Sequence, residues 1–473
     1  MSKLSRDGYV IRKKNFTTNQ IKEFKDELTM EPYCMNDFGE KNKKIFSIYL
    51  ESPKKLYMPR YYGLSKLGEP DKNTLNEGNE IDINFKGSLR QEQHPVFDVS
   101  YKQIMDTGGG IISLKCGGGK TILALYILAQ IKKKTIIVVH KEFLMTQWYD
   151  RIVEFIPDAK IGKIQQNTID VNGKDIVLAM VHSLSMKEYS DETFEDFGFC
   201  IYDECHHMGA EVFCKCMPKI ACKYSVGLSA TPKRKDGMNK VFEWYLGTIA
   251  YMSKDKNEDY VEVRIIKYMC ENTLYNQIPL SYMKKPCVPK MINNICGFKP
   301  RRKLLIDLII PLQKEGRSIL ILSDRRNHLE FIHDELEKID IECGYYVGGM
   351  KPQELRDSQE KSIILGTFSM ASEGMDIPKL NTIVLASPKS DVVQSVGRIL
   401  RQKKEVRKFH PLIIDINDEF SSFLNQSKKR LTFYNKNKYD INITDLNGIT
   451  SKYVKKSKRR TLNIEDIDEC LLD

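Results

Sequence analysis

Short apolar runs alternate with amphipathic stretches over two long portions of this chain, and that alternation constrains its fold more than any other feature. In the first portion IISL (111–114), TIIVV (135–139), DIVLAM (175–180), FGFCIYDE (197–204) and YSVGLS (224–229) are short and rich in β-branched residues. TILALYILAQI (121–131) and EFLMTQWYDRIVEFI (142–156) between them have helical length and spacing. The texture resumes after residue 300: RKLLIDLIIPLQ and NHLEFIHDELEKI read as helices, SILILSD, KSIILGT, NTIVLAS and HPLIIDI as strands. Strands that are apolar on both faces and separated by helices predict a parallel sheet covered on both sides. The fold class is therefore α/β, with two consecutive domains over 89–250 and 300–425. A linking segment, 251–299, joins them.

Residues 1–88 read as a small mixed accessory domain, with strands expected at FSIYL (46–50) and IDINF (81–85). Its basic-aromatic stretch PKKLYMPRYYG (53–63) leaves two readings open. Tyr57, Tyr61 and Tyr62 either pack inside the small domain or stack on nucleic acid beside the lysines. The tail, 426–473, is basic at KKR (428–430) and KKSKRR (455–460), then acidic at EDIDE (465–469). It reads as solvated surface or as a second backbone-binding arm.

The 473 residues carry 74 Lys and Arg against 63 Asp and Glu, a formal charge of +11, which favours a polyanionic partner such as nucleic acid. No apolar run is long enough to cross a membrane, and the first residues lack the apolar core of a signal peptide. The 12 cysteines are scattered through a chain with ample core, so they are expected as reduced thiols inside a cell. Cys205, His206, Cys214 and Cys222 lack zinc-finger spacing.

The chemistry concentrates at CGGGKT (116–121), between the strand IISL and a helix. Glycines let backbone N–H groups curl around a phosphate without Cβ clashes, and a helix N-terminus adds its dipole. Cys116, Gly117, Gly118 and Gly119 are the expected cradle for ATP. Lys120 would reach the β- and γ-phosphates, and Thr121 would offer its hydroxyl to Mg²⁺. Leu114 stands where the full phosphate-loop pattern has its first glycine. The acidic partner is Asp203–Glu204, at the end of a strand, where a carboxylate faces the phosphate crevice. Asp203 would hold Mg²⁺ through water, and Glu204 would orient and deprotonate the attacking water.

With these residues placed, the chain resembles the superfamily 2 helicases over 89–415. DECH (203–206) is similar to their second motif, SAT (229–231) to the third, GTFSMASEGMDIP (366–378) to the fifth and QSVGRILR (394–401) to the sixth. LRQEQ (89–93) resembles the adenine-contacting element, and HKEFLMTQW (140–148) a strand-end motif that grips a nucleic-acid backbone. The resemblance implies two tandem RecA-like domains that close on ATP. It implies Gln93 at the adenine, and Arg398 and Arg401 as arginine fingers on a shared helix face with Gln394 beside them. Gly374 and Asp376 would contact nucleotide. His206, Ser229 and Thr231 would couple hydrolysis to nucleic acid, and His140, Lys141, Ser183 and Thr367 would touch phosphates.

Within the superfamily, GLSATPKRKDG (227–237) and ILILSDRRNHLE (319–330) are similar to the XPB-like group, which includes the transcript-release helicase of poxviruses. That likeness implies an ATP-dependent DNA helicase or translocase moving 3′ to 5′, of viral origin, serving transcript release, repair or replication. A loop at 234–237 or the linking segment would wedge against a duplex. The partners it implies are DNA, single-stranded or duplex, with RNA or a DNA–RNA hybrid and the transcription machinery beside it; the chain would be a monomer. The expected location is the host cytoplasm or virion, with the nucleus as an alternative. Two other readings share the motifs: a motor that displaces RNA or protein without processive unwinding, and an ATP-gated nucleic-acid clamp. A nuclease is disfavoured because Asp82, His94 and Asp98 have no metal-site spacing.

Overall fold

The computed structural model describes residues 2–31, 45–115, 117–207, 210–230, 238–253, 260–282, 284–373, 375, 377–402 and 406–453. The chain divides into two compact units, 1–255 and 256–473. Each is built around an eight-stranded sheet, as the repeated alternation predicts.

The sheet of the first unit runs in the order Thr168–Asp170, Ile161–Gln165, Ile176–Met180, Thr135–Val139, Phe199–Tyr202, Tyr224–Ser229, Gly109–Ser113, Ile249–Met252. Every pairing is parallel except that of the outermost strand Thr168–Asp170. Alternate residues explain the continuous apolar runs. Ile112, Ile137, Val139, Ile201 and Leu228 pack under the helices His94–Thr107, Lys120–Ile131 and Glu142–Phe155. Ile111, Ile136, Val138 and Tyr202 face the helix Asn239–Leu246 and the accessory domain. Full burial of each such side chain contributes about 1.5–3 kcal/mol.

The accessory domain is a small mixed unit, built on strands Lys3–Ser5, Gly8–Arg12 and Lys55–Met58 with helices Thr18–Glu27 and Arg60–Leu67. Its basic-aromatic stretch packs rather than projecting. Tyr62 is 1% exposed, donates to Glu27 at 2.9 Å, and lies edge-on to Trp244 at 5.2 Å. Arg60 donates to the carbonyls of Lys223 (2.7 Å) and Thr107 (3.1 Å), and Tyr61 to that of Thr107 (3.3 Å). These bonds staple the accessory domain to the ends of the large sheet. IDINF forms no strand. Ile81 and Ile83 instead bury against the helical layer of the first sheet, with Ile81 N–H donating to the Lys132 carbonyl at 3.1 Å.

The second sheet runs Cys343–Tyr346, Ile363–Gly366, Ile319–Leu322, Thr382–Leu385, Leu412–Asp418, Glu262–Tyr268, Asp440–Thr444, Thr450–Lys452, all parallel except the last pairing. It draws in two stretches that the sequence assigns elsewhere. Glu262–Tyr268 comes from the expected linking segment, and its charges at Glu262, Arg264 and Lys267 disguise a strand whose Val263 and Ile265 are buried. Helix Ser421–Lys436 and strand Asp440–Thr444 extend into the expected tail, anchored by buried Tyr434, Tyr439 and Ile441. Residues 454–473, with the KKSKRR and EDIDE runs, lie outside the described residues. Among the described residues no helix is long and apolar enough to cross a membrane.

Candidate nucleotide site and nucleic-acid face

The strand Gly109–Ser113 delivers the glycine loop to the C-terminal edge of the first sheet, and Leu114 N–H is held by the Ser229 carbonyl at 3.1 Å. Gly117 (φ 78°) and Gly119 (φ 74°) take left-handed conformations, and the helix starts at Lys120. At φ 74° any side chain at Gly119 would strain the backbone, and its Cβ would also push on Gln93 Nε2 at 2.5 Å, so this turn favours glycine. Gln93 is buried, donates to the Gly119 carbonyl at 3.2 Å and accepts from Arg90 N–H at 3.0 Å. The glutamine of LRQEQ thus buttresses the loop. Cys116 lies outside the described residues.

Asp203 and Glu204 follow strand Phe199–Tyr202 at the same edge and point to different partners. Asp203 is 6% exposed, and its Oδ2 accepts from Trp148 Nε1 at 2.8 Å. Burial pushes its carboxyl above the usual range and the charge of Glu204 adds to that, while Lys120 and the Trp148 bond oppose it. Glu204 sits at φ 44°, a left-handed conformation uncommon for a residue with a side chain and typical of strained functional positions. Its Oε1 pairs with Lys120 Nζ at 2.5 Å, and its Oε2 accepts from Ala230 N–H at 3.3 Å. His206 Nδ1 lies 3.4 Å from the same Oε2 and 2.9 Å from Ser229 Oγ. Lys120, Glu204, His206 and Ser229 are therefore one connected polar chain. Trp148 is the participant the sequence reading missed. Its position inside HKEFLMTQW, on a helix packed over the sheet, is the signal that could have found it.

These residues fit ATP with Mg²⁺: a lysine at a glycine loop, a hydroxyl at Thr121 and a strand-end acid pair are the donor set that phosphates and a hard cation require.

The expected nucleic-acid residues of the first unit sit at strand ends. His140 and Lys141 follow Thr135–Val139, both half-buried, and Ser183 follows Ile176–Met180, its Oγ accepting from Gln166 N–H at 2.9 Å. Thr231 and the 234–237 loop lie outside the described residues. In the second unit Thr367 follows strand Ile363–Gly366, with Oγ1 3.2 Å from Ser369 Oγ. Gly374 and Asp376 lie outside the described residues. The stretch QSVGRILR forms a short helix, Val393–Val396, then a 3₁₀ turn, Gly397–Leu400, rather than one helix carrying both arginines. Arg398 is 5% exposed and donates from Nε to the Ala371 carbonyl (2.6 Å) and from Nη1 to that of Met375 (2.8 Å). Those two bonds clamp the 366–378 stretch. Gln394 and Arg401 are half-buried.

Residues 86–234 match the family model described as "Type III restriction enzyme, res subunit", and residues 300–403 that of the "Helicase conserved C-terminal domain". The chain is 39% identical to "Putative ATP-dependent RNA helicase" of Acanthamoeba polyphaga mimivirus, over 93% of this chain and 86% of that one. The chain belongs to the superfamily 2 helicases. A second helicase relative, "Putative helicase 161L" of Invertebrate iridescent virus 6, is 26% identical over 75% of this chain and 83% of its own length. Among solved structures, that of S. cerevisiae Dbp5 bound to RNA and ADP BeF3 shares the fold, with a TM-score of 0.53, 13% identity, and cover of 74% of this chain and 89% of that one. This helicase is an ATP-hydrolysing, nucleic-acid-dependent motor, with relatives among viral proteins.

Proposed function

We propose that this helicase is a remodelling motor that displaces RNA or bound protein over short stretches of nucleic acid, without processive DNA unwinding. The name borne by the mimivirus relative of nearly the same extent, "Putative ATP-dependent RNA helicase", supports an RNA substrate over the DNA strand that the XPB-like resemblance implies. The observation that carries the coupling is the polar chain. Glu204, the water-activating carboxylate in this reading, accepts a hydrogen bond from Ala230 N–H and lies 3.4 Å from His206 Nδ1, which is 2.9 Å from Ser229 Oγ.

In this mechanism Lys120 exchanges Glu204 for the β- and γ-phosphates. Glu204, released on that side, orients the attacking water and takes its proton. Asp203, held by Trp148, and Thr121 would hold Mg²⁺, which neutralises charge developing on the phosphates. Gln93 fixes the glycine loop and meets the adenine. Arg401 supplies positive charge to the γ-phosphate, and Arg398 keeps the 366–378 stretch in place. Movement of Glu204 pulls on Ser229 through His206, which transmits the nucleotide state to the strand end. His140, Lys141, Ser183 and Thr367 grip phosphates, contacts that are blind to base identity.

Steady-state ATPase with single-stranded RNA, single-stranded DNA and duplex DNA, alongside displacement of short and long duplexes, tests this reading. Stimulation by RNA with loss of short duplexes only is the expected result. Preference for DNA, or unwinding of long duplexes, returns the motor to the transcript-release reading.

A further inference from the structure

The chain leaves the second sheet at Tyr268, on the C-terminal edge, and makes an excursion before helix Val288–Gly297. The excursion ends in a closed hairpin. Cys287 N–H donates to the Pro279 carbonyl and Ser281 N–H to that of Lys285, each at 2.7 Å, with Leu280 bridged to Pro286. Its foot is rigid. Tyr275 is fully buried, donates to Asp418 at 2.8 Å and packs against Phe298 and Phe420. At the other end Arg325, in the loop after strand Ile319–Leu322, donates to the Pro289 carbonyl at 3.0 Å. On this anchored base the hairpin is bare: Tyr282 is 104% exposed and Leu280 56%.

Burial alone gives no reason for an aromatic ring to stand fully in water on a fixed support. Charge indicates what covers it. From 272 to 306 the chain has no carboxylate and, apart from Arg301, which is buried against Asp418, six Lys and Arg, with Lys284 and Lys285 beside the tip. Thr367 follows another parallel strand of the same sheet, four places along from Glu262–Tyr268, and lies on the same C-terminal edge, where open parallel sheets bind their ligands. Resting on the motor reading above, we infer that the hairpin Pro279–Cys287 is a base-stacking prong: the Tyr282 ring stacks on an unpaired nucleobase of the strand on which the helicase acts, with Lys284 and Lys285 beside its phosphates. This deepens the expectation of a wedge in the linking segment by naming the contact and its chemistry.

The test is fluorescence anisotropy of the full chain with a single-stranded RNA oligonucleotide and with an abasic backbone of the same length, together with RNA-stimulated ATPase. Stacking of one base on an aromatic ring is worth about 1–3 kcal/mol, so Tyr282→Ala should weaken RNA binding about 5- to 150-fold. It should leave abasic binding and basal ATPase unchanged, and Tyr282→Phe should restore affinity. Equal losses on both oligonucleotides, or no loss on either, overturn the prong, as does loss confined to binding of a protein partner. If the wild-type chain binds and is stimulated by RNA while Tyr282→Ala matches it, only the prong fails. If the wild type responds to no polymer, the motor reading fails with it.

Discussion

Both units place a carboxylate at the C-terminal end of a central parallel strand and pair it with a cation, yet the two pairs have opposite fates. Lys120–Glu204, at 2.5 Å, keeps side-chain exposures of 11% and 16% and borders an open glycine loop. Arg301–Asp418 is bidentate, at 2.7 and 2.9 Å, with both side chains at 0% exposure. Tyr275 takes a further bond to Asp418, and Arg301 also donates to the Ala386 carbonyl. The duplicated sheet therefore offers two similar strand-end positions, and only one stays available to exchange its partner for phosphate. The sealed pair serves structure, because its desolvated charges have no other partner to take.

The sharpest way to break this contrast is Glu204→Gln. It should lower ATP turnover by about 10²- to 10⁴-fold with a nearly unchanged melting temperature, measured on the same preparation. Asp418→Asn should do the reverse: a loss of about 3–5 kcal/mol in denaturant unfolding, from a buried guanidinium left without its counter-charge. A variant as stable as the wild type would show that the pair is not sealed.

Trp148→Phe comes next. Removing a donor to an ionised carboxylate costs about 1.5–3 kcal/mol. The Trp148 bond holds the pKa of Asp203 down, so its loss should raise that pKa and move the acid limb of the pH–turnover profile to higher pH. A limb that stays put would separate Asp203 ionisation from turnover.

Near neutral pH the smallest effect belongs to His328, buried beside the sealed pair. Its Nδ1 lies 3.1 Å from Ser323 Oγ, and burial, with Arg301 and Arg302 nearby, lowers its pKa from 6.5 to about 3. The unfolded chain takes up a proton below about pH 6.5 that the folded chain refuses until about pH 3. Stability should therefore fall as pH drops through that window, by about 1.4 kcal/mol per unit at most. His328→Asn should flatten the slope in urea titrations at successive pH values.

Much of this was legible in the residues. Runs such as TIIVV and FGFCIY read as buried parallel strands and form them, and a lysine after three glycines with acids at a distant strand end pointed to the nucleotide site proposed above. What escaped depends on partners far away in sequence. Glu262–Tyr268 looks like a linker because its strand neighbours, Leu412–Asp418 and Asp440–Thr444, lie about 150 residues and more downstream. Ile81 and Ile83 alternate as a strand does, but they bury against a helical layer that local pattern does not reveal. Arg398 carries a motif's signature, while its bonds to two carbonyls exist only once the 366–378 stretch has folded beside it.

The staple at Arg60 has a consequence for the order in which the chain matures. Arg60 is made well before its partner, because the carbonyl of Lys223 that it holds is synthesised 163 positions later. At 5–20 residues per second, the amino-terminal segment waits roughly 8–30 s on the ribosome before its berth exists. During that interval Tyr9, Leu56 and Tyr62, all buried in the finished protein, can pack only against other residues of the accessory domain such as Ile11, Phe24 and Met58. The accessory domain thus docks only after the chain has been made as far as Lys223, before any of the second unit exists.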